Sequence, residues 1–457
     1  MKPRKHPTPR PGSGAPQTGR TLPAPPQLTQ IEDPLTIEKP VHGGAFLAHA
    51  GGKAIFVPLV LPGEQARIRI LEDKRAYATA EVEEIVAASA QRIAPACPHF
   101  GVCGGCTYQH TDYETQLAFK QTILRETLQR AGVPPPGEIA ALSAQPPSRP
   151  WAYRNRIRLA FDPQGNPGYR GRRSHAVVPI RECPIAAPLL VTAALAAAQT
   201  VRQAAPSLRA TEISLFCNAD ESALLAGIST GSAQAAGFGD FARALSARIP
   251  ALQGVELVLE ARAGRQPRSL AQWGARSLIY HAANFDYRVD QGAFFQVNRR
   301  LVDALVDRVA AGHSGALAWD LFAGVGLFAR RLAASFDRVI AVESAPSATA
   351  ALAQNLSGAN AAAVKADTLA FLRRNTPGQH PGLIVVDPPR TGLGSEITAQ
   401  LAHIAAPALV YVSCDPATLA RDLRALLAGG YMIHSITLAD LFPQTFHIET
   451  VVRLRRS

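Results

Sequence analysis

The sequence lacks any apolar run long enough to cross a membrane. Its longest candidate, Ile185 to Ala198, covers about fourteen Ala-rich residues and is interrupted by Pro188, whereas a spanning helix needs about twenty. The N-terminus also lacks the hydrophobic segment of a secretory signal. We therefore expect a cytoplasmic protein without a membrane partner.

Cysteine is scarce, with six residues in 457, which is too few for a disulfide framework in a chain of this length. An apolar fraction of 47% excludes a wholly disordered chain. The clustering of the cysteines is therefore more informative than their number, and it suggests a metal site in a reducing compartment.

Lysine is also rare: seven residues, so that forty of the 47 basic residues are arginine. The net charge is +12, which indicates polyanionic partners. The guanidinium group of arginine forms bidentate hydrogen bonds with phosphates and stacks on bases, so an arginine-rich chain is suited to binding nucleic acid. A bias in genomic composition explains the Arg/Lys ratio equally well, because the chain is also rich in alanine.

The composition divides the chain into four segments. Residues 1–30 hold eight prolines and five basic residues without an acidic one, and they predict a disordered basic tail. Residues 31–93 carry short β-type runs between turns, which predict an OB-like β-barrel; a purely structural β-module is the alternative. Residues 94–284 form a mixed region with Arg-rich stretches. Residues 285–457 alternate apolar runs with helical patterns, which predicts an α/β domain with a parallel sheet.

Three cysteines lie within ten residues, and a fourth stands far downstream before a proline. They are Cys97, Cys103, Cys106 and Cys183. Four thiolates can hold zinc or an iron–sulfur cluster. Structural zinc sites usually use paired CxxC knuckles, and only one CxxC is present here, which favours a closed iron–sulfur cluster. Buried free cysteines are the alternative interpretation.

The segment LAWDLFAGVGLFA (317–329) predicts a strand that ends near Asp320, followed by a glycine turn at Gly324 and Gly326 that opens a helix. Such a turn lets the backbone approach a nucleotide-like ligand. The next predicted strand ends in Glu343, where an acid commonly binds ribose hydroxyls. The third glycine of a dinucleotide fingerprint is missing, which favours S-adenosylmethionine over NAD. A packing turn in an unrelated α/β domain is the alternative.

Three further polar side chains lie at the ends of apolar runs. Asp387 follows LIVV and Cys414 follows ALVYVS, while Glu449 precedes the last predicted strand. Open α/β sheets bind their ligands at the carboxyl ends of the strands. We therefore interpret Cys414 as catalytic, although a lone cysteine at a strand end is usually a packing residue.

Together these segments resemble the RNA 5-methyluridine (uracil-C5) methyltransferase family, from about residue 31 to the end. The resemblance rests on CPHFGVCGGC with Cys183, YRNRIRL, GAFFQVN, DLFAGVGLF, VDPPRTGL, SCDPATLARDL and FPQTFHIETV. It implies a Rossmann-like, class I S-adenosylmethionine-dependent methyltransferase domain at 285–457. It also implies a TRAM-like OB β-barrel at 31–93 and a central RNA-binding α+β domain with an iron–sulfur cluster at 94–284.

The resemblance also implies roles for individual residues. Cys414 matches the nucleophile and Glu449 the general base. Four residues match S-adenosylmethionine contacts: Gln296, Phe322, Glu343 and Asp387. Cys97, Cys103, Cys106 and Cys183 match the ligands of a 4Fe–4S cluster. The chain departs from many members at Leu327 and Asp415, where they carry asparagine.

The implied activity is methylation of uracil C5 in RNA, by addition of Cys414 to C6 and proton abstraction from C5 by Glu449. A TRAM-like unit together with a cluster favours 23S rRNA as the substrate; a tRNA substrate and a non-catalytic RNA-binding role are the alternatives. The Arg stretches 154–158 and 170–173 are expected to bind phosphates, or else to form a solvated charged face. No obligate protein partner is indicated.

Overall fold

The structure is a computed structural model that describes residues 31, 33–135, 137–143, 150–261, 267–375 and 379–456. The predicted basic tail, residues 1–30, lies outside the described residues. None of the helices in the described part combines the length and apolarity needed to cross a membrane.

The first unit is a small β-barrel-like sheet with its own apolar core. Its strands are β1 (Leu35–Thr36), β2 (Lys39–Pro40), β3 (Ala45–Ala50), β4 (Lys53–Pro58), β5 (Gln65–Asp73) and β6 (Tyr77–Ala87), in the order β1-β5-β6-β4-β3-β2. Buried and more exposed residues alternate along β3 and β4, as expected for strands with one face on a core. Strands β1 and β2 are separated at Ile37, whose N–H bonds to the Glu64 carbonyl.

A cysteine-containing loop leads from this unit into helix α1 (Tyr113–Arg130) and the short strand β7 (Ala140–Leu142). Helix α1 begins after Asp112, whose carboxylate accepts the Thr115 N–H at 2.7 Å, a typical N-cap. Phe119 on this helix joins the barrel core, whereas Ile123 and Leu124 join the core of the C-terminal sheet. Helix α1 thus packs between the two units.

The central unit is a mixed sheet with two helices. Its elements are β8 (Arg156–Phe161), β9 (Pro167–Arg170), β10 (Val177–Pro179), α2 (Pro188–Ala204), β11 (Ala210–Cys217), β12 (Leu224–Thr230), α3 (Phe238–Arg248), β13 (Leu252–Leu259) and β14 (Arg268–Gly274), with a 3₁₀ turn at Pro206–Leu208. The strand order is β10-β9-β8-β11-β12-β13-β14, and only the β12–β13 pair is parallel. The apolar run 185–198 contributes most of α2, which packs on this sheet.

The C-terminal unit is an eight-stranded sheet preceded by a hairpin. Its elements are β15 (Ser277–Ala282), β16 (Phe285–Asp290), α4 (Val302–Ala310), β17 (Gly315–Leu321), α5 (Leu327–Leu332), β18 (Phe336–Glu343), α6 (Pro346–Asn355), β19 (Ala361–Lys365), α7 (Thr368–Asn375), β20 (Leu383–Val386), α8 (Gly394–Ile404), β21 (Ala408–Ser413), α9 (Pro416–Ala428), β22 (Tyr431–Ala439) and β23 (Glu449–Arg456). The strand order is β19-β18-β17-β20-β21-β23-β22-β7. Strands β17 to β21 are parallel, β23 is antiparallel to both neighbours, and β7 adds an outer strand.

Both faces of this sheet are covered. The β15–β16 hairpin and helices α4, α5 and α6 pack on one face, and helices α1, α7, α8 and α9 pack on the other. The two-sided burial explains why the parallel strands read as continuous apolar runs in the sequence. The segment 113–142, which the sequence groups with the central region, therefore packs on the C-terminal sheet through α1 and β7.

The loop of residues 440–448, which joins β22 to β23, is tied to helix α1 by polar contacts. The Lys120 ammonium lies 2.6 Å from the Asp440 carboxylate and donates to the Phe442 carbonyl at 2.9 Å. One helical turn earlier, the Gln116 side chain donates to the Gln444 side chain at 3.1 Å and accepts the Gln444 N–H at 3.0 Å. The helix therefore fixes both the side chains and the backbone of the loop.

Neighbouring segments hold the same loop from other directions. The N–H groups of Thr107 and Tyr108 bond to the Gln444 carbonyl, and the Tyr153 hydroxyl donates to the Pro443 carbonyl at 3.0 Å. The Asn298 amide donates to the Leu441 carbonyl at 3.2 Å. The 440–448 loop is consequently a fixed part of the fold.

We expect the substitution Lys120→Met to lower the free energy of unfolding by about 3–5 kcal/mol, because it leaves the buried Asp440 carboxylate without its cation. Urea titration measures this change. The double substitution Lys120→Met/Asp440→Leu should restore most of the loss, since an apolar pair needs no charge compensation.

The matched control is Lys39→Met, which removes the more exposed pair between Lys39 and Glu126. Exposed pairs contribute at most about 1 kcal/mol. Equal destabilisation by Lys39→Met and Lys120→Met would show that burial of the pair is not what stabilises the loop.

Candidate active site

Four of the predicted site residues lie along one edge of the C-terminal sheet. Glu343 is the last residue of β18, while Phe322, Asp387 and Cys414 directly follow β17, β20 and β21. The parallel register brings the strand ends to within two residues of one another, because Leu321 pairs with Val342 and Val386, and Val386 pairs with Tyr411. The strand order reverses between β17 and β20, and such a switch point is where open α/β sheets bind ligands.

The glycine turn after β17 is held open toward this edge. Gly324 has a φ of +56°, and a Cβ atom built there would meet no atom within 4 Å. The Gly324 N–H donates to the Glu343 carboxylate at 2.9 Å, and the same carboxylate accepts the N–H groups of Ser344 and Ala345. The turn thus leaves room for a ligand to approach the backbone, as a nucleoside-containing cofactor requires.

Carboxyl groups surround the turn, and that of Asp320 is fully buried. One Asp320 oxygen accepts the Ala329 N–H at 2.8 Å, while the other has no hydrogen-bond partner among the described residues. Burial raises the pKa of Asp320 to about 8, with smaller contributions from Asp387 and Glu343. Burial likewise raises the pKa of Asp387 to about 7. These groups titrate near neutral pH, which is typical of functional sites.

Cys414 and Glu449 lie beside the end of the antiparallel pair β21–β23. The register pairs Ser413 with Thr450, and one position further Cys414, just past β21, comes opposite Glu449, whose charge acts on the thiol. Burial, followed by the charges of Glu449 and Asp387, raises the pKa of Cys414 to about 11. Burial, with Asp387 second, raises the pKa of Glu449 well above its usual range. A thiol and a carboxyl group are thus brought together in a partly desolvated site.

Two features near Cys414 favour its ionised form. Helix α9 begins at Pro416, two residues later, and helix N-termini stabilise negative charge. Arg390 acts in the same direction, because its charge lowers the pKa of the thiol. The departure at Asp415 has a structural explanation: its carboxylate caps α9 by accepting the N–H groups of Ala417 and Thr418 at 3.0 and 2.8 Å.

Gln296 lies on a separate segment, after the β15–β16 hairpin. Its side chain is buried, and its backbone carbonyl accepts a hydrogen bond from the Asn155 side-chain amide at 2.9 Å. Two residues later, Asn298 bonds to the 440–448 loop, so this segment is joined to the one that carries Glu449. Leu327 is the second position at which the chain departs from many family members. Its side chain is buried in the apolar core, and its backbone carbonyl accepts a hydrogen bond from the Tyr287 hydroxyl.

The four clustered cysteines line one cavity of about 230 Å³. The cysteines are Cys97, Cys103, Cys106 and Cys183. Arg154 and His447 line the same cavity, so it adjoins the 440–448 loop. Burial raises the pKa of Cys106 to about 12. Within the described ranges, no group of three or more His, Cys, Asp or Glu side chains is arranged to hold a metal ion.

The Arg-rich stretches separate into buried and exposed residues. Arg158, Arg170, Arg172 and Arg173 line an open groove of about 760 Å³ beside the cysteine loop. Arg156 instead lies 4.3 Å over the Phe216 ring and donates to the Ala293 carbonyl at 2.6 Å. The stretch 154–158 therefore does not act as one basic surface: only Arg158 belongs to the groove.

Sequence reasoning missed several residues around the site. Lys120 and Gln116 had no motif to mark them, because their partners are distant in the chain; Arg390 lies within VDPPRTGL but was given no role there. Cys217 was left without a role; it is fully buried in the central core, which accounts for it as a packing residue.

Two known families match parts of the chain. Residues 380–457 match the tRNA (uracil-5-)-methyltransferase family, and residues 33–82 match the TRAM domain. The second match confirms the predicted TRAM-like character of the N-terminal barrel.

Whole-length relatives agree with these matches. An uncharacterized RNA methyltransferase of Thermotoga maritima is 31% identical over 92% of this chain and 98% of its own length. The 23S rRNA (uracil(1939)-C(5))-methyltransferase RlmD of Shewanella frigidimarina is 33% identical over 92% of this chain and 94% of its own length.

A solved structure shares the fold. The tRNA (uracil-54, C5)-methyltransferase of Pyrococcus abyssi, determined with S-adenosyl-L-homocysteine, superposes with a TM-score of 0.71 at 22% identity, over 92% of this chain and all of that one. This likeness confirms the predicted S-adenosylmethionine-dependent methyltransferase fold. With relatives above 30% identity over nearly their whole length, the chain belongs to the RNA (uracil-5-)-methyltransferase family.

Proposed function

We propose that the protein methylates uracil C5 in RNA with S-adenosylmethionine, giving 5-methyluridine. The observation that carries this proposal is the placement of Cys414 opposite Glu449 at the ligand-binding edge of a methyltransferase sheet. Uracil C5 is a poor nucleophile on its own, so the reaction needs a group that adds to C6 and a base that later removes the C5 hydrogen.

Cys414 is suited to the first task. Its sulfur adds to C6 as a thiolate, and C5 becomes an enolate-like carbon. The α9 N-terminus and Arg390 favour the thiolate, while protonation of Asp387 removes one opposing negative charge. The raised pKa of Asp387 therefore helps the nucleophile to ionise and leaves Glu449 free to act as the base.

Glu449 is suited to the second task. After methylation, C5 still carries its hydrogen, and the sulfur leaves only when a base removes that proton. Burial and Asp387 raise the pKa of Glu449, which makes its carboxylate a stronger proton acceptor than an exposed one. A base opposite Cys414 would lie beside C5 when the Cys414 sulfur is bound to the neighbouring C6.

The cofactor fits the strand-end edge. S-adenosylmethionine, when bound, supplies the electrophilic methyl group. We assign its contacts to Gln296, Phe322, Glu343 and Asp387; the open backbone at Gly324 supports this assignment. Glu343 already bonds to three N–H groups, so its carboxylate is held rigidly for ribose hydroxyls.

We propose 23S rRNA as the substrate. The RlmD relatives act on 23S rRNA by name, and they match this chain over most of its length. The groove lined by Arg158, Arg170, Arg172 and Arg173 would bind phosphates. Enzymes acting on a base must take it out of its stack, which requires least free energy in unpaired RNA.

We also propose that Cys97, Cys103, Cys106 and Cys183 hold a 4Fe–4S cluster in the central region. Their convergence on one cavity supports a shared ligand. The cavity of about 230 Å³ between them leaves room for a group larger than a single ion.

Replacement of Cys414 with alanine should lower methyl transfer on the order of 10³-fold or more, because no other thiol lies at this position. Tritiated methyl incorporation into 23S rRNA and tRNA transcripts measures the effect. Cys217→Ala, which removes the core thiol, is the matched control and should stay active. Retained activity of Cys414→Ala would refute the mechanism, and transfer to tRNA alone would reassign the substrate.

The substitution Glu449→Gln should trap the enzyme on its RNA, because sulfur cannot leave while the C5 proton remains. A slowly migrating protein–RNA band on a denaturing gel reveals the adduct. The double substitution Cys414→Ala/Glu449→Gln should give no band. If the Glu449→Gln protein releases methylated RNA at the wild-type rate, another group is the base.

The substitution Cys183→Ser should remove the absorbance near 400 nm that anaerobically purified protein is expected to show, because the cluster loses a thiolate ligand. Iron and sulfide analysis gives a second measurement. Cys217→Ser should keep both signals. A wild-type protein containing stoichiometric zinc and no iron would contradict the cluster assignment.

A further inference from the structure

The barrel places a histidine, His42, against the 440–448 loop. His42 lies in the turn between β2 and β3, followed by Gly43 and Gly44 with φ values of +101° and +85°. A Cβ atom on Gly44 would lie 3.0 Å from Thr107 and 3.2 Å from Phe446. Glycine therefore lets the turn seat closely against the 440–448 loop, which fixes the place of His42.

A line of aromatic rings runs from His42 along the 440–448 loop. The His42 ring meets Phe446 edge-on, with the ring centres 5.9 Å apart. The Phe446 ring centre lies 4.3 Å from that of His447, and the His447 ring centre lies 5.4 Å from that of Phe442. These contacts join the barrel to the loop that leads directly into β23 and Glu449.

Partial desolvation, and not the surrounding charge, favours a neutral His42 ring. It lowers the pKa of His42; Asp415 opposes this effect and Arg390 adds to it. Asp415 directly follows Cys414 in the sequence, and Arg390 also acts on the Cys414 thiol. A neutral imidazole beside Phe446 is suited to stacking on a base, whereas binding a phosphate would call for a cation.

We propose that His42 and Phe446 form a stacking site for the nucleotide next to the target uridine. This inference rests on the proposed function, because the target base itself occupies the space between Cys414 and Glu449. When that base leaves its stack, its neighbour loses a stacking partner. Aromatic side chains replace such a partner in single-stranded RNA recognition. The barrel therefore contributes directly to substrate selection at the catalytic site.

The test uses His42→Ala and Phe446→Ala in the full-length protein, with His49→Ala as the matched control. His49 is an exposed histidine of the same barrel that bonds to Glu38. The probes are short single-stranded RNAs with one uridine, flanked on its 5′ or 3′ side by the fluorescent base 2-aminopurine. Stacking on an aromatic ring quenches this base.

We expect wild-type protein and His49→Ala to quench one of the two probes. His42→Ala and Phe446→Ala should lose that quenching and raise KM for RNA about tenfold, with kcat and S-adenosylmethionine affinity changed less than about twofold. His42→Tyr and Phe446→Tyr should restore the quenching, because each returns a stacking ring.

Unchanged quenching and KM in both alanine variants would overturn the stacking site. A fall in kcat at constant KM would also overturn it, because the rings would then only position His447 and Glu449. Failure of the proposed function is distinguishable: wild-type protein would transfer no methyl group to any RNA, while the fluorescence measurement would still report whether the rings stack on a base.

Discussion

The arrangement of the site depends on how helix α1 holds the 440–448 loop. The Lys120–Asp440 pair and the Gln116–Gln444 amide pair are both buried. Desolvation of the two charges is compensated only when their geometry is good and further hydrogen bonds are made; the Phe442 carbonyl provides one of these bonds. Because Glu449 directly follows this loop, the position of the proposed base relative to Cys414 is set by residues from the first third of the chain.

The strand-end residues could be predicted from the sequence, because their positions follow from local patterns. Apolar runs that end in Asp387 and Cys414 define strands, and parallel strands bring their carboxyl ends to one edge. The polar residues that hold the loop could not be predicted in this way. Lys120 and Asp440 are 320 positions apart, and no local pattern pairs them. The Arg-rich segments show a related limit, since the pattern did not distinguish the half-buried Arg156, which covers the Phe216 ring, from the exposed Arg158.

The cysteine cavity and the proposed catalytic site share a wall. Arg154 and His447 line the cavity, and His447 also belongs to the loop that carries Glu449. The loop of clustered cysteines continues into Thr107 and Tyr108, whose N–H groups bond to Gln444. The proposed cluster, by ordering these cysteines, would therefore also order the 440–448 loop that precedes the proposed base.

Strand β7 pairs with β22 through Thr437 and Ala140 and covers the outer edge of the C-terminal sheet. An uncovered edge strand is a template for pairing with other chains. During synthesis, β7 leaves the ribosome long before β22 does, so this edge closes only when nearly the whole chain has emerged. Such a distant pairing belongs to the slow, late part of folding. The methyltransferase half is thus the last to be completed and cannot be separated from the N-terminal half without exposing its edge.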